Sequence, residues 1–268
     1  VSKPAPDPAR DAELIVDGLT IRFGGLTAVD GLSFKVLRGE VLSLIGPNGA
    51  GKTTAFNAIT GYVVPDGGTI SYRGARLNGL KPNQIAELGV VRTFQKTSVF
   101  MGQSVLDNVL LGLHLASKQT PLAVILGLPS VAREERALAE EAKRILRFVD
   151  LEARSDQLAS ALPYGELRLL EVAIAFAAKP KLLLLDEPVS GMNPAETASF
   201  MELLAAIRAL GITILLVEHD MRMVMGVSDR VICLNHGRII ASGSPSEIQR
   251  DQEVIRAYLG ERYVRAQG

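Results

Sequence analysis

Short apolar runs, each closed by a polar or glycine-rich break, recur along most of the chain. Val41-Leu42-Ser43-Leu44-Ile45, Lys181 to Leu185 and Thr213 to Val217 are apolar almost throughout, the pattern of strands buried on both faces. Before them the pattern alternates, in Leu14-Ile15-Val16, Leu19-Thr20-Ile21-Arg22-Phe23 and Leu32-Ser33-Phe34-Lys35-Val36. Alternation broken by Gly24-Gly25 and Asp30-Gly31 predicts short antiparallel strands joined by turns. Asp66-Gly67-Gly68 reads as another turn, leading into the strand Thr69 to Arg73, and Val90-Val91-Arg92-Thr93-Phe94-Gln95 as a buried strand ending in an amide. Val231 to Leu234 and Ile239 to Ala241, joined by His236-Gly237, predict a hairpin.

Between Ser104 and Ala161 the period changes to that of helices. Asp107 to Leu115 is amphipathic, and Pro121 to Pro129 encloses a short apolar segment. Val131 to Leu151 sets Leu138, Ala142, Ile145, Leu146 and Val149 against a charged face. The implied architecture is α/β, one sheet-based domain interrupted by a helical insertion. Helices are also expected over Leu167 to Ala178, Ala195 to Leu210 and, at the end, Pro245 to Leu259.

Composition narrows the setting. The chain has 268 residues, 47% of them hydrophobic and 22% charged, and its 29 basic residues equal its 29 acidic ones, so no bulk field draws it to nucleic acid or anionic lipid. Its single cysteine, Cys233, excludes an internal disulfide and suits a reducing compartment. No apolar run approaches the roughly 18 residues needed to cross a bilayer, so work at a membrane needs an anchor from elsewhere. Residues 1–12, with prolines at 4, 6 and 8, read as a disordered lead-in.

The chemistry concentrates where the apolar strands end. Gly46-Pro47-Asn48-Gly49-Ala50-Gly51-Lys52-Thr53-Thr54 follows one strand and opens onto a helix, the setting a phosphate-binding loop requires. Glycines at 46, 49 and 51 allow backbone N–H groups to turn inward around a polyphosphate, Lys52 reaches the β and γ phosphates, Thr53 offers a hydroxyl to Mg²⁺, and the helix start adds its positive end. Asp186 and Glu187 end another apolar strand; two adjacent acids there are either a capping pair for a following helix or need a charge partner, which Mg²⁺ held through water by Asp186 would supply, leaving Glu187 to polarise an attacking water. Glu218-His219-Asp220 leave a third strand, where His219 is either structural or a contact for the γ phosphate. Gln95 reads as a surface amide or a ligand on the nucleotide side. Phe23 is either sheet core or a ring for adenine to stack on, and Tyr164-Gly165-Glu166 either a plain helix entrance or a second place for a phosphate to rest.

Taken together, Gly46 to Thr53, Gln95, Leu162 to Glu166, Leu185-Asp186-Glu187-Pro188, Ser190 to Asn193 and His219 have the order and spacing of the ATP-binding cassette ATPases, which the chain resembles from about Leu14 to its end. Arg92-Thr93-Phe94-Gln95, Tyr164-Gly165, Gly191-Met192-Asn193-Pro194, Glu218 to Met221 with Val224-Met225-Gly226, and Ile255-Arg256-Ala257-Tyr258-Leu259-Gly260 are similar to the subgroup that energises branched-chain amino-acid uptake.

That resemblance implies a RecA-like P-loop core with an antiparallel β subdomain over residues 13–98 and 165–250, a helical subdomain over 99–164, and a C-terminal helix and tail over 251–268. It implies ATP and Mg²⁺ as ligands, with the loop from Gly46 through Pro47, Asn48, Gly49, Ala50, Gly51, Lys52 and Thr53 to Thr54 holding phosphates and Phe23 stacking adenine. Thr53, Gln95 and Asp186 would hold the metal, Glu187 would be the general base and His219 the γ-phosphate sensor. Tyr164, Gly165 and Glu166 would serve the ATP of a second ATPase subunit, most simply a different chain in a heterodimer. Residues 96–115 would meet transmembrane permease subunits on the cytoplasmic face of the inner membrane. A periplasmic or extracellular binding protein would deliver the cargo, and no nucleic acid is involved. The same machine could serve urea, short amides or lipopolysaccharide, because cargo never touches such a chain; a soluble ATPase acting on ribosomes or DNA would show tandem cassettes or a long coiled coil. One departure is Glu166, where the family signature carries glutamine.

Overall fold

The computed structural model describes residues 12–93, 99–116 and 129–265. Two sheets form its frame. The smaller has the order β2-β1-β4-β5, with β1 Ala12–Phe23 and β2 Leu26–Leu37 forming a long antiparallel hairpin beside β4 Gly67–Tyr72 and β5 Ala75–Arg76. The larger has the order β10-β9-β3-β8-β7-β6, from β3 Val41–Ile45, β6 Val90–Arg92, β7 Leu182–Asp186, β8 Thr213–Val217, β9 Arg230–Asn235 and β10 Arg238–Gly243. Its strands β9, β3, β8, β7 and β6 run parallel, and β10 pairs back antiparallel on β9.

The apolar runs divide by parity. Leu42, Leu44, Leu182, Leu184, Leu215 and Val217 join one cluster with Leu14, Val16, Ile70 and Phe56 from the hairpin sheet and α1, Lys52–Ile59. Their neighbours Val41, Leu183, Leu185, Ile214 and Leu216 join another, beneath the helices. A strand with helices or a second sheet on each face needs apolar residues at every position, which is why these segments lack alternation.

The helices are α2 Pro82–Glu87, α3 Val105–Ala116, α4 Pro129–Phe148, α5 Tyr164–Ala177, α6 Pro194–Ala209, α7 Met221–Val227, α8 Pro245–Ile248 and α9 Gln252–Arg265. Val109, Leu113, Ala142, Ile145, Leu146 and Leu170 bring α3, α4 and α5 into one core with the sheet. The stripe predicted on the charged helix is therefore the face it buries, with the Phe148 and Phe176 rings stacked at 5.2 Å to hold α4 on α5.

Three expectations are corrected. Leu14 to Val16 and Leu19 to Phe23 form one strand, and Asp30-Gly31 lies inside β2 instead of turning the chain. The pairing shifts register at both places, where Gly18 and Gly31 take positive φ of 59° and 64°. Glycines inside alternating segments mark bulges, and the displaced N–H groups are met by hydroxyls across the hairpin, Gly18 N–H donating to Ser33 and Gly31 N–H to Thr20. Gly67-Gly68 likewise belongs to β4. The described part of the strand opened by Val90 ends at Arg92, and Phe94 and Gln95 lie outside the described residues, as does most of the apolar segment from Pro121 to Pro129.

Candidate functional site

Strands β3, β8 and β7 are adjacent and parallel, with Leu44 level with Val217 and Val217 level with Asp186. Their carboxyl ends therefore deliver Gly46, Glu218 and Glu187 to one sheet edge. Beyond β3 the chain turns through Gly46, Gly49 and Gly51 with φ of 142°, 79° and 100°. At Gly46 a side chain is impossible, since a Cβ would stand 2.1 Å from the Leu234 carbonyl oxygen. Gly51 is the N-cap of α1 and supplies no side-chain cap, so the helix presents its first N–H groups toward the loop. Asn48, Gly49 and Thr53 are exposed, while Pro47 and Ala50 are buried and Thr54 half-buried.

Lys52 is buried, and its ammonium donates to the carbonyls of Gly46 at 2.6 Å and Pro47 at 2.9 Å. The loop thus closes on its own cation. Carbonyl groups are weaker partners for an ammonium than phosphate oxygens, so an entering polyphosphate would exchange one set of partners for a better one.

The two acids that end β7 part company. Asp186 is 4% exposed, and its Oδ2 accepts from Arg92 Nη2 at 2.7 Å, an ion pair with almost no solvent access. Burial pushes its carboxyl above the usual aspartate range and the Arg92 charge opposes that shift. Glu187 instead adopts a left-handed φ of 48° and leaves its side chain 35% exposed. Glu187 thus reaches solvent, while Asp186 has a guanidinium beside it.

Arg92 went unnoticed in the sequence as a functional residue. Its signal was an arginine in register with Leu184 in an otherwise apolar strand pair. It also donates Nη1 to Asn57 of α1 at 2.6 Å and lies over the Phe56 ring, tying the phosphate-loop helix to β7.

Asp186 Oδ1 is buried with no hydrogen-bond partner among the described residues. That orphaned acceptor fits a cation such as Mg²⁺, which takes one or two protein oxygens and completes its shell with water and phosphate. The described residues hold no group of three His, Cys, Asp or Glu that could bind a metal alone, so substrate oxygens would have to contribute.

His219 stands beside Glu187, Nδ1 to Oε1 at 3.7 Å, with its ring 57% exposed. Glu218, 1% exposed, braces the backbone near both, its two carboxylate oxygens accepting from the N–H groups of Val189, His219 and Asp220 at 3.1, 2.9 and 3.1 Å. A carboxylate stitching together the chain after Glu187 and the chain around His219 fixes their separation. Burial nevertheless dominates these three donors and raises the Glu218 pKa.

Tyr164, Gly165 and Glu166 form the first turn of α5, where an entrance preceding the helix was expected. Pro163 is the N-cap and offers neither hydroxyl nor N–H. Tyr164 lies against Gly191, and Gly165 against Glu196 at the start of α6. Glu166 is paired with Arg154, Oε2 to Nε at 3.1 Å, so a cation stands beside the acid that replaces the signature glutamine. Phe23 ends β1 opposite Leu26 and is 52% exposed, which excludes the sheet-core reading and leaves its ring available. Gln95 lies outside the described residues.

Comparison with known proteins agrees with this geometry. The family model described as ABC transporter matches residues 29–190, and that described as branched-chain amino acid ATP-binding cassette transporter matches residues 238–264. The high-affinity branched-chain amino acid transport ATP-binding protein LivG of Escherichia coli K12 is 45% identical over 249 residues, covering 92% of this chain and 98% of that one. The high-affinity branched-chain amino acid transport ATP-binding protein BraF of Pseudomonas aeruginosa is 43% identical over the same span. Among solved structures, the ADP conformation of an ATP-binding cassette of an ABC transporter superposes with a TM-score of 0.82 at 31% identity, covering 93% of this chain and 99% of that one. A nucleotide-free cassette gives 0.81 at 30% identity, covering 92% and 98%.

Proposed function

We propose a function from one premise: this chain belongs to the ABC transporter family, in its branched-chain amino acid branch, and is an ATP-binding subunit of a transport ATPase. Its work is to hydrolyse ATP and pass the resulting motion to membrane subunits that carry branched-chain amino acids inward. The carrying observation is the convergence at one sheet edge of the loop around Lys52, the buried Asp186 and the Glu187–His219 pair.

In this reading the N–H groups from Asn48 to Thr54 and the start of α1 surround the phosphates, and Lys52 leaves the Gly46 and Pro47 carbonyls to bind them. Phe23 offers its exposed face to adenine. Thr53, Gln95 and Asp186 would hold Mg²⁺, which when bound would neutralise charge on the phosphates. Glu187, half open to solvent, accepts the proton of the attacking water, and His219 contacts the γ phosphate from beside it. Tyr164, Gly165 and Glu166 face the nucleotide of a second ATPase subunit, most simply a different chain.

Among the described residues no helix is long and apolar enough to cross a membrane. Attachment to the cytoplasmic face therefore falls to permease subunits, and capture of the amino acid to a periplasmic or extracellular binding protein.

Reconstitution tests the whole reading. With permease subunits and binding protein in vesicles, ATP turnover should rise when the binding protein is loaded with leucine, isoleucine or valine. Stimulation by urea, a short amide or lipopolysaccharide, with none by branched-chain amino acids, would reassign the cargo; ATP turnover indifferent to any membrane partner would overturn the transport role.

A further inference from the structure

The segment Ile255-Arg256-Ala257-Tyr258-Leu259-Gly260 takes no part in the chemistry above, yet it reaches the phosphate loop. The Tyr258 hydroxyl of α9 accepts a hydrogen bond from the Gly46 N–H at 2.9 Å, across 212 positions of sequence. The carbonyl of the same residue, Gly46, accepts from the Lys52 ammonium at 2.6 Å. One residue is therefore held from both sides, by the C-terminal helix through its N–H and by the phosphate-binding lysine through its oxygen. Only glycine can stand here, because Leu234 blocks the space that a side chain would need.

The same helix also packs toward the other half of the site. Tyr258 and Val254 belong to a small apolar cluster with Ile45, which precedes Gly46, and with Met221, Val224 and Met225 of α7. Helix α7 begins directly after His219 and is capped by Asp220. Beside this cluster an open groove of about 720 Å³ is bordered by Met221, Arg222, Met225, Gln249, Val254 and Tyr258. A helix that touches the loop through one hydrogen bond and one small apolar cluster can report on that loop.

We propose that Tyr258 is a positioning residue of the nucleotide site, whose hydroxyl orients the Gly46 peptide and couples docking of the C-terminal helix to occupancy of the phosphate loop. Coupling of this kind is reciprocal: if docked α9 favours nucleotide binding, bound nucleotide favours docked α9 to the same extent. The inference rests on the nucleotide reading of residues 46–54.

The test uses the full chain, alone and in the reconstituted transporter, with ATP and Mg²⁺ as the probe. Tyr258→Phe removes only the hydroxyl, Val254→Ala loosens the helix while keeping it, and Lys52→Ala removes the phosphate-binding cation. Tyr258→Phe should weaken ATP binding about two- to tenfold, the size of one net hydrogen bond, with the loss falling on KM and not on kcat. Amides in residues 252–258 should gain hydrogen-exchange protection when ATP binds the unaltered chain, and Tyr258→Phe should lose that gain. Unchanged ATP affinity in Tyr258→Phe, whatever happens to its melting temperature, overturns the coupling, as does unchanged ATP affinity in a Val254→Ala chain whose helix has lost hydrogen-exchange protection. Normal ATP binding by Lys52→Ala overturns the nucleotide reading itself; loss of binding there beside an unaffected Tyr258→Phe overturns the coupling alone.

Discussion

His219 Nδ1 lies 3.7 Å from Glu187 Oε1, near enough to pair when the imidazole is charged and too far for a hydrogen bond when it is neutral. Glu187 is thus left with acceptor capacity facing solvent, as a base for water requires. Glu187→Gln should lower ATP turnover by roughly 10²- to 10⁴-fold, the usual worth of a positioned base, while ATP stays bound. Retained radiolabelled ATP with no phosphate release is the expected result; normal hydrolysis would remove Glu187 from this role.

Arg92 is a countercharge of Asp186, with side chains 8% and 0% exposed. Arg92→Leu should therefore cost about 3–5 kcal/mol of stability, the penalty for leaving a buried charge alone. Mg²⁺ with ATP should recover part of that loss, so the shift in Tm on adding both should be larger in the variant than in the parent. Equal shifts would show that the guanidinium and the metal do not share the carboxylate.

Glu218 gives the fold a pH dependence of predictable sign. Burial raises its pKa in the folded chain, above the value of about 4.3 expected unfolded. Between those two values the folded state binds more proton, so its contribution to stability is fullest at low pH and declines as pH rises through the window. Chemical denaturation of the parent and of Glu218→Gln from pH 4 to 8 should show the parent losing stability relative to the variant as pH increases. A difference that does not change with pH would contradict the raised value.

Arg154 qualifies what the Glu166 carboxylate can do. An unpaired charge about 4 Å from a phosphate would repel it by an order of 1–4 kcal/mol. The Arg154 pair is partly exposed, with side chains 43% and 28% accessible, so it offsets only some of this. In the assembled transporter Glu166→Gln should raise turnover, and Arg154→Ala should lower it with Glu166 retained. Turnover unmoved by both would place the acid away from any nucleotide.

Much of this was legible because the strands carry their own boundaries. Three apolar runs each end in a cluster of polar or glycine residues, and a parallel sheet gathers such ends at one edge. What the sequence hid were relationships across elements. Nothing along the strand from Val90 singles out Arg92 until β6 is laid beside β7, and nothing singles out Glu218 until its backbone donors from two loops are in place. The bulges at Gly18 and Gly31 were misread as ends because a glycine signals a break in regular pairing without saying whether the strand resumes. Tyr258 could not have been matched to Gly46 by any local pattern.

The ammonium of Lys52 is folded onto two carbonyls of its own loop. Any polyphosphate that enters must draw it away from those oxygens before the lysine can serve the new ligand. The same arrangement tempers how tightly any polyphosphate is gripped, so spent product can leave and the motor can start again.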